Sequence, residues 1–190
     1  CGVEDIFVVG YSGNLGRAHE FETILGAAGK LKHTEGIVFL FIGGGAQRGW
    51  IEEAAKKKGL TNILFKPYQP RERLGLSLSV PDVHLISLQP ALEGLIVPSK
   101  FYGIAAAGRP TLFVGDIDGE IPMILRQTGS GYTISVGDSN GLANHIVEMS
   151  QGTIAASMGA KARIAFEKYF EQHRAFAAWE NLLRHVSKCP

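Results

Sequence analysis

The sequence predicts a parallel β-sheet covered by helices on both faces. Three observations predict it. Short apolar runs recur along the chain at residues 6–9 (IFVV), 37–42 (IVFLFI), 63–65 (ILF), 83–88 (VHLISL), 111–114 (TLFV) and 132–136 (YTISV). Stretches with helical spacing of apolar residues separate them. Glycine-rich turns follow the first two runs. Runs that do not alternate between apolar and polar residues are buried on both sides, and the helices between them supply the cover.

Residues 6–9 open the chain as a buried strand, and YSGNLGR (11–17) follows as a glycine turn. A helix over about 20–31 places Phe21, Ile24, Leu25 and Ala28 on one face. Residues 37–42 end in Gly43-Gly44-Gly45, and a helix carrying Trp50, Ile51, Ala54 and Ala55 stops at Gly59. Residues 63–65 form a short strand and 71–78 a helix, and strand 83–88 leads into the loop 89–92. Helix 100–107, strand 111–114, helix 121–128, strand 132–136 and helix 141–149 continue the alternation. Residues 160–185 close it as one long helix or two, with Phe166, Phe170, Phe176, Trp179, Leu182 and Leu183 as packing residues. No repeat or low-complexity linker interrupts the pattern. The chain therefore reads as a single domain over 1–190, with a terminal helical segment at about 160–186.

With 190 residues, 45% hydrophobic and 19% charged, the chain has the composition of a soluble globular protein. A net charge of +1 gives no electrostatic case for nucleic-acid binding. No apolar run reaches membrane-spanning length, and no signal peptide opens the chain. Cys1 and Cys189 stand at opposite ends, which argues against a disulfide framework and for a reducing cytoplasm. The absence of an initiator methionine, with a strand almost at the first residue, points to an excised piece of a longer protein.

In such sheets ligands bind beyond the carboxyl ends of the strands. A strand, a glycine turn and a helix start can cradle a phosphate. Gly10, Gly13 and Gly16 do not give the G-x-G-x-x-G spacing of dinucleotide-binding dehydrogenases, and the second strand ends in glycines rather than a ribose-binding acid. No G-x-x-x-x-G-K-[ST] motif occurs either.

Residues 89–110, QPALEGLIVPSKFYGIAAAGRP, carry a more specific pattern. Glu93-Gly94, Pro98, Ala106-Ala107-Gly108-Arg109-Pro110 and a following strand occur in the order found in the donor-binding half of retaining glycosyltransferases of the two-domain GT-B type. YSGNLGR, FLFIGGGAQRGWIEEAAKKKGLTNILFKPY and GSGYTISVGDSNGLANHI match that family's other segments, so the resemblance covers residues 6 to about 185. It implies the Rossmann-like C-terminal domain of a GT-B enzyme. Such an enzyme moves a sugar from a nucleoside-diphosphate donor to a glycan or lipid-linked acceptor, without a metal or other cofactor. It also implies that an N-terminal acceptor domain lies outside this chain, and that the full-length protein works in the cytoplasm or at the inner membrane face.

Within that resemblance Arg17 and Lys100 are the cations expected to stabilise the departing diphosphate. Gly13, lacking a Cβ, lets an anion approach the backbone, with Asn14 beside it and Ser99 at a helix start. Glu93 is expected to accept hydrogen bonds from the sugar, with Gly94, Leu95, Ile96 and Val97 lining the same pocket. Lys66 and Tyr68 fall where the nucleotide base lies. The family's second glutamate, which holds the ribose, is missing: counting forward reaches Phe101, and aligning backward from Gly108 reaches Gly103.

Other residues have plainer readings. His19 falls where the family often carries lysine and is a further phosphate candidate, whereas the other five histidines have no metal-ligand spacing. Asp116-Ile117-Asp118 spells a metal motif of a different glycosyltransferase fold but reads here as an acidic loop. A non-catalytic nucleotide-sugar-binding module and a sugar-nucleotide epimerase of related fold stand as the alternatives.

Overall fold

The computed structural model describes residues 6–186. Cys1 and Cys189 lie outside them. Six strands, β1 (Phe7–Asn14), β2 (Ile37–Gly44), β3 (Ile63–Lys66), β4 (Val83–Ser87), β5 (Thr111–Gly115) and β6 (Gly131–Ser135), form one sheet in the order β3-β2-β1-β4-β5-β6. Every pairing is parallel. The strand order reverses between β1 and β4, which opens a crevice beyond their carboxyl ends.

Helices α1 (Glu22–Lys30), α2 (Arg48–Lys57) and α6 (Ser139–Ser150) cover one face, where Phe21, Ile24, Phe39, Phe41, Ile51 and Ile146 are almost wholly buried. Helices α3 (Leu74–Ser79), α4 (Lys100–Ala106) and α5 (Glu120–Thr128) cover the other around Ile86, Phe101, Ile104 and Phe113. Truncating a side chain such as Phe101 to alanine in a core of this kind costs about 3–5 kcal/mol.

Two expectations are corrected. The first strand does not stop at Val9 but runs through Asn14, so Tyr11, Ser12 and Gly13 belong to the strand and the turn is confined to residues 15–20. Parallel pairing of Tyr11 with Phe41 and of Gly13 with Gly43 holds this polar stretch extended. The terminal helical segment begins before Ala160. Helix α7 spans Ile154–Ala165, a π-helical turn covers Phe166–Phe170, and α8 spans Gln172–Val186 after extended backbone at Glu171. Gly159 obscures α7 in the sequence yet serves it: a Cβ there would strike the Gly108 carbonyl, so glycine lets α7 cross close over the end of α4. Phe170 packs on Phe101 and Tyr102 as expected, but Phe176, Trp179, Leu182 and Leu183 of α8 are each more than half exposed. No helix among the described residues is long and apolar enough to cross a membrane.

Candidate functional site

At the reversal point a cavity of about 520 Å³ opens between the end of β1 and the loop that enters α4. Gly13, Asn14, Tyr68, Ile96, Val97, Ser99, Lys100 and Gly103, all expected site residues, line it together with His19 and Ser77. Its floor is shaped by glycine. Gly13 and Gly43 pair across β1 and β2 with φ of +129° and +139°, a backbone that side chains rarely adopt. A Cβ on Gly43 would collide with the Gly13 carbonyl, and a Cβ on Gly13 would touch the Lys100 Nζ at 3.6 Å.

The group of interest in the lining is the Lys100 Nζ. It lies 3.7 Å from the centre of the Tyr11 ring, is shielded from solvent and has no hydrogen-bond partner among the described residues. Burial lowers its pKa to about 7. The hydroxyls of Ser12 and Ser87 are likewise buried without partners. Tyr11 donates its own hydroxyl hydrogen to the Asn14 carbonyl (3.1 Å) and is held neutral, chiefly by burial. An ammonium without a counter-ion among the described residues and the unpaired Ser12 hydroxyl, beside a glycine floor, form an arrangement that an anion would complete.

The loop 15–20 frames one side. Its backbone is tied to three elements: Leu15 N–H donates to the Gly44 carbonyl (2.7 Å), Gln47 N–H to the Leu15 carbonyl (2.9 Å) and Gln89 N–H to the Ala18 carbonyl (2.9 Å). The Gln47 side-chain amide donates to the carbonyls of Gly16 (2.7 Å) and His19 (3.0 Å). These roles of Gln47 and Gln89 have no sequence signal, because long-range contacts to carbonyls leave none.

The remaining expected residues lie elsewhere. Arg17 is exposed on this loop and does not line the cavity. Glu93 and Gly94 line an adjoining cavity of about 760 Å³ with Asp116, Asp118 and Glu120, and Val97 is common to both cavities. There the Glu93 Oε1 accepts from the Glu120 N–H (3.1 Å), so this carboxylate caps α5. Lys66 faces a separate groove with Leu40, Gln69 and Arg73. Leu95 projects into solvent, 77% exposed, and lines neither cavity, contrary to the single shared pocket expected for residues 94–97. Of the two positions considered for the missing glutamate, Phe101 is buried in the core, whereas Gly103 faces the Lys100 cavity and offers no side chain. The Asp116 carboxylate accepts from the Asp118 N–H (3.0 Å) within its own loop. Among the described residues no cluster of three or more His, Cys, Asp or Glu is placed to hold a metal.

No family model matches the sequence. The chain is 30% identical over 161 residues to the probable glycosyltransferase WbjE of Pseudomonas aeruginosa, covering 85% of this chain and 40% of that protein. It is 32% identical over 101 residues to the putative colanic acid biosynthesis glycosyl transferase WcaI of Escherichia coli, covering 53% of this chain and 25% of that protein. The chain thus spans well under half the length of these relatives. Among solved structures, S. aureus TarM superimposes with a TM-score of 0.79 at 20% identity, over 94% of this chain and 35% of TarM. The C-terminal domain of the glycosyl transferase group 1 protein LpcC from Francisella tularensis superimposes with a TM-score of 0.71 at 15% identity, over 87% of each chain. The chain thus has the fold of the C-terminal domain of GT-B glycosyltransferases, and the curated proteins it resembles in sequence are named as glycosyltransferases.

Proposed function

We propose that this chain is the donor-binding domain of a retaining, metal-independent glycosyltransferase. The enzyme would transfer a sugar from a nucleoside-diphosphate donor to a glycan or lipid-linked acceptor. The observation that carries the reading is the unpartnered Lys100 ammonium beside Gly13 at the carboxyl end of β1. Solved neighbours lend support: TarM was crystallised with UDP, and Anabaena HepE with UDP and glucose.

Breaking the bond between sugar and diphosphate leaves negative charge on the departing phosphate. Pre-aimed cations stabilise that charge more in the transition state than in the ground state. Lys100 supplies one cation and Arg17, from the exposed loop, the second. The glycine floor lets the diphosphate lie against the backbone, and Tyr68 with Leu74 walls the end of the cavity that takes the base. Glu93, one cavity further on, accepts from hydroxyls of the transferred sugar. The acceptor binds mainly to an N-terminal domain of the full-length protein, which acts in the cytoplasm, at or near the inner membrane face.

Titration calorimetry of this chain with UDP, GDP and their sugar conjugates, in the presence of chelator, tests the reading. Binding without divalent metal, lost in Lys100→Met, is expected. Binding that requires magnesium or manganese, or that survives Lys100→Met unchanged, refutes it. In the full-length enzyme, Lys100→Ala or Arg17→Ala should each lower turnover by about 10²–10³-fold, the usual effect of removing one such group.

A further inference from the structure

His19 was expected as a phosphate contact, but its hydrogen bonding gives it the opposite polarity. Its Nδ1 lies 2.5 Å from the Ser87 carbonyl oxygen. A carbonyl oxygen can only accept, so Nδ1 carries the hydrogen and, in the neutral ring, Nε2 is a bare acceptor. The ring is fixed by edge contacts with Tyr11 (centroids 5.9 Å apart) and Phe21 (6.2 Å). Nε2 has no hydrogen-bond partner among the described residues. The residue lines two cavities, the one around Lys100 and a second of about 520 Å³ beside Trp50, Glu20 and Glu22. Burial and then the Lys100 charge lower the pKa of His19, outweighing the Ser87 bond, which favours the protonated ring.

A bare Nε2 repels phosphate oxygens and calls for an O–H donor. Sheet order indicates which part of a ligand brings it. Tyr68 follows β3, Gly13 is the penultimate residue of β1, and His19 leans on the last residue of β4, in a sheet ordered β3-β2-β1-β4. A nucleotide sugar is linear, running from base through ribose and diphosphate to sugar. With its base by Tyr68 and its diphosphate at Gly13 and Lys100, its sugar reaches His19. Resting on the donor-site reading above, we infer that His19 is a specificity residue whose Nε2 accepts a hydrogen bond from a hydroxyl of the donor's sugar, and that it is not a phosphate clamp.

Two measurements on this chain test the inference. The first is a ¹⁵N correlation spectrum of the histidine rings at pH 7.5. It should show His19 hydrogen on Nδ1 alone, and a shift of the Nε2 resonance when nucleotide sugar is added but not when the nucleoside diphosphate is added. Hydrogen on Nε2 in the free protein overturns the inference. The second is calorimetry of wild type and His19→Phe, which keeps the ring packing, with UDP and UDP-glucose, or with GDP and GDP-mannose if that nucleotide binds. His19→Phe should weaken the sugar conjugate about five- to tenfold, as expected for one lost hydrogen bond, and leave the diphosphate unchanged. Equal loss for both ligands, or none for either, overturns the inference while the donor-site reading stands. A wild-type chain that binds none of these ligands overturns the donor-site reading itself. Where His19→Phe fails to fold, the spectrum of the wild-type ring decides alone.

Discussion

The Lys100 ammonium and the Tyr11 ring face one another at 3.7 Å, with no carboxylate among the described residues paired to the cation. Such a contact offsets only part of what a buried charge loses in hydration. Lys100 therefore titrates near 7 rather than near 10.5, charged below that point and neutral above it. Anion affinity should follow the same sign. We expect UDP binding to weaken as pH rises from 6.5 to 8.5, by up to about tenfold per unit for a single linked proton. Lys100→Met should flatten the dependence, as calorimetry across this range will show.

Gly43 and Gly137 separate collision from strain. Both have positive φ, +139° and +88°. A Cβ at Gly43 meets the Gly13 carbonyl, whereas a Cβ at Gly137 meets open space. Gly137→Ala should cost about 1 kcal/mol, from backbone strain alone. Gly43→Ala should cost on the order of 3 kcal/mol or more and deform the cavity floor. Urea denaturation of the two variants supplies the comparison.

His84 is fully buried in β4, its Nε2–H donating to the Leu78 carbonyl at 2.9 Å, and burial chiefly lowers its pKa to about 4. The unfolded chain binds this proton near 6.5, so between 6.5 and about 4 the unfolded state takes up more protons than the folded one. Stability should fall as pH drops through that window, by on the order of 3 kcal/mol in total, and level off below it. A His84→Gln variant should lose this acid-dependent slope in denaturation curves collected from pH 7 to pH 4.

Glu93 carries a structural duty beside the role proposed for it. Its carboxylate receives the first N–H of α5, at the positive end of that helix. Glu93→Ala should therefore lower stability by about 1 kcal/mol, the usual cost of a lost cap. Glu93→Gln should recover most of this loss, since the amide oxygen still accepts. A thermal unfolding series of the three proteins tests it.

The sheet was legible because its central strands are unbroken apolar runs, and the glycines after the first two runs marked the carboxyl edge where the cavity lies. The end of β1 was not legible. Tyr11 and Ser12 look like turn residues until their pairing with Phe41 and Ile42 is known. Nor could the sequence divide Lys100 from Glu93: both follow β4, yet the loop carrying Val97 turns them into different cavities. The polarity of His19 depends on a carbonyl 68 residues away, and a carbonyl has no residue identity for a motif to record.

The bonds from Gln47, Gln89 and Gly44 that lash the 15–20 loop in place bear on the thermodynamics of capture. A loop already held by three separate elements has little conformational freedom left to surrender when a ligand arrives. Loosening the loop through Gln47 would convert a preset receptacle into one assembled anew at each encounter.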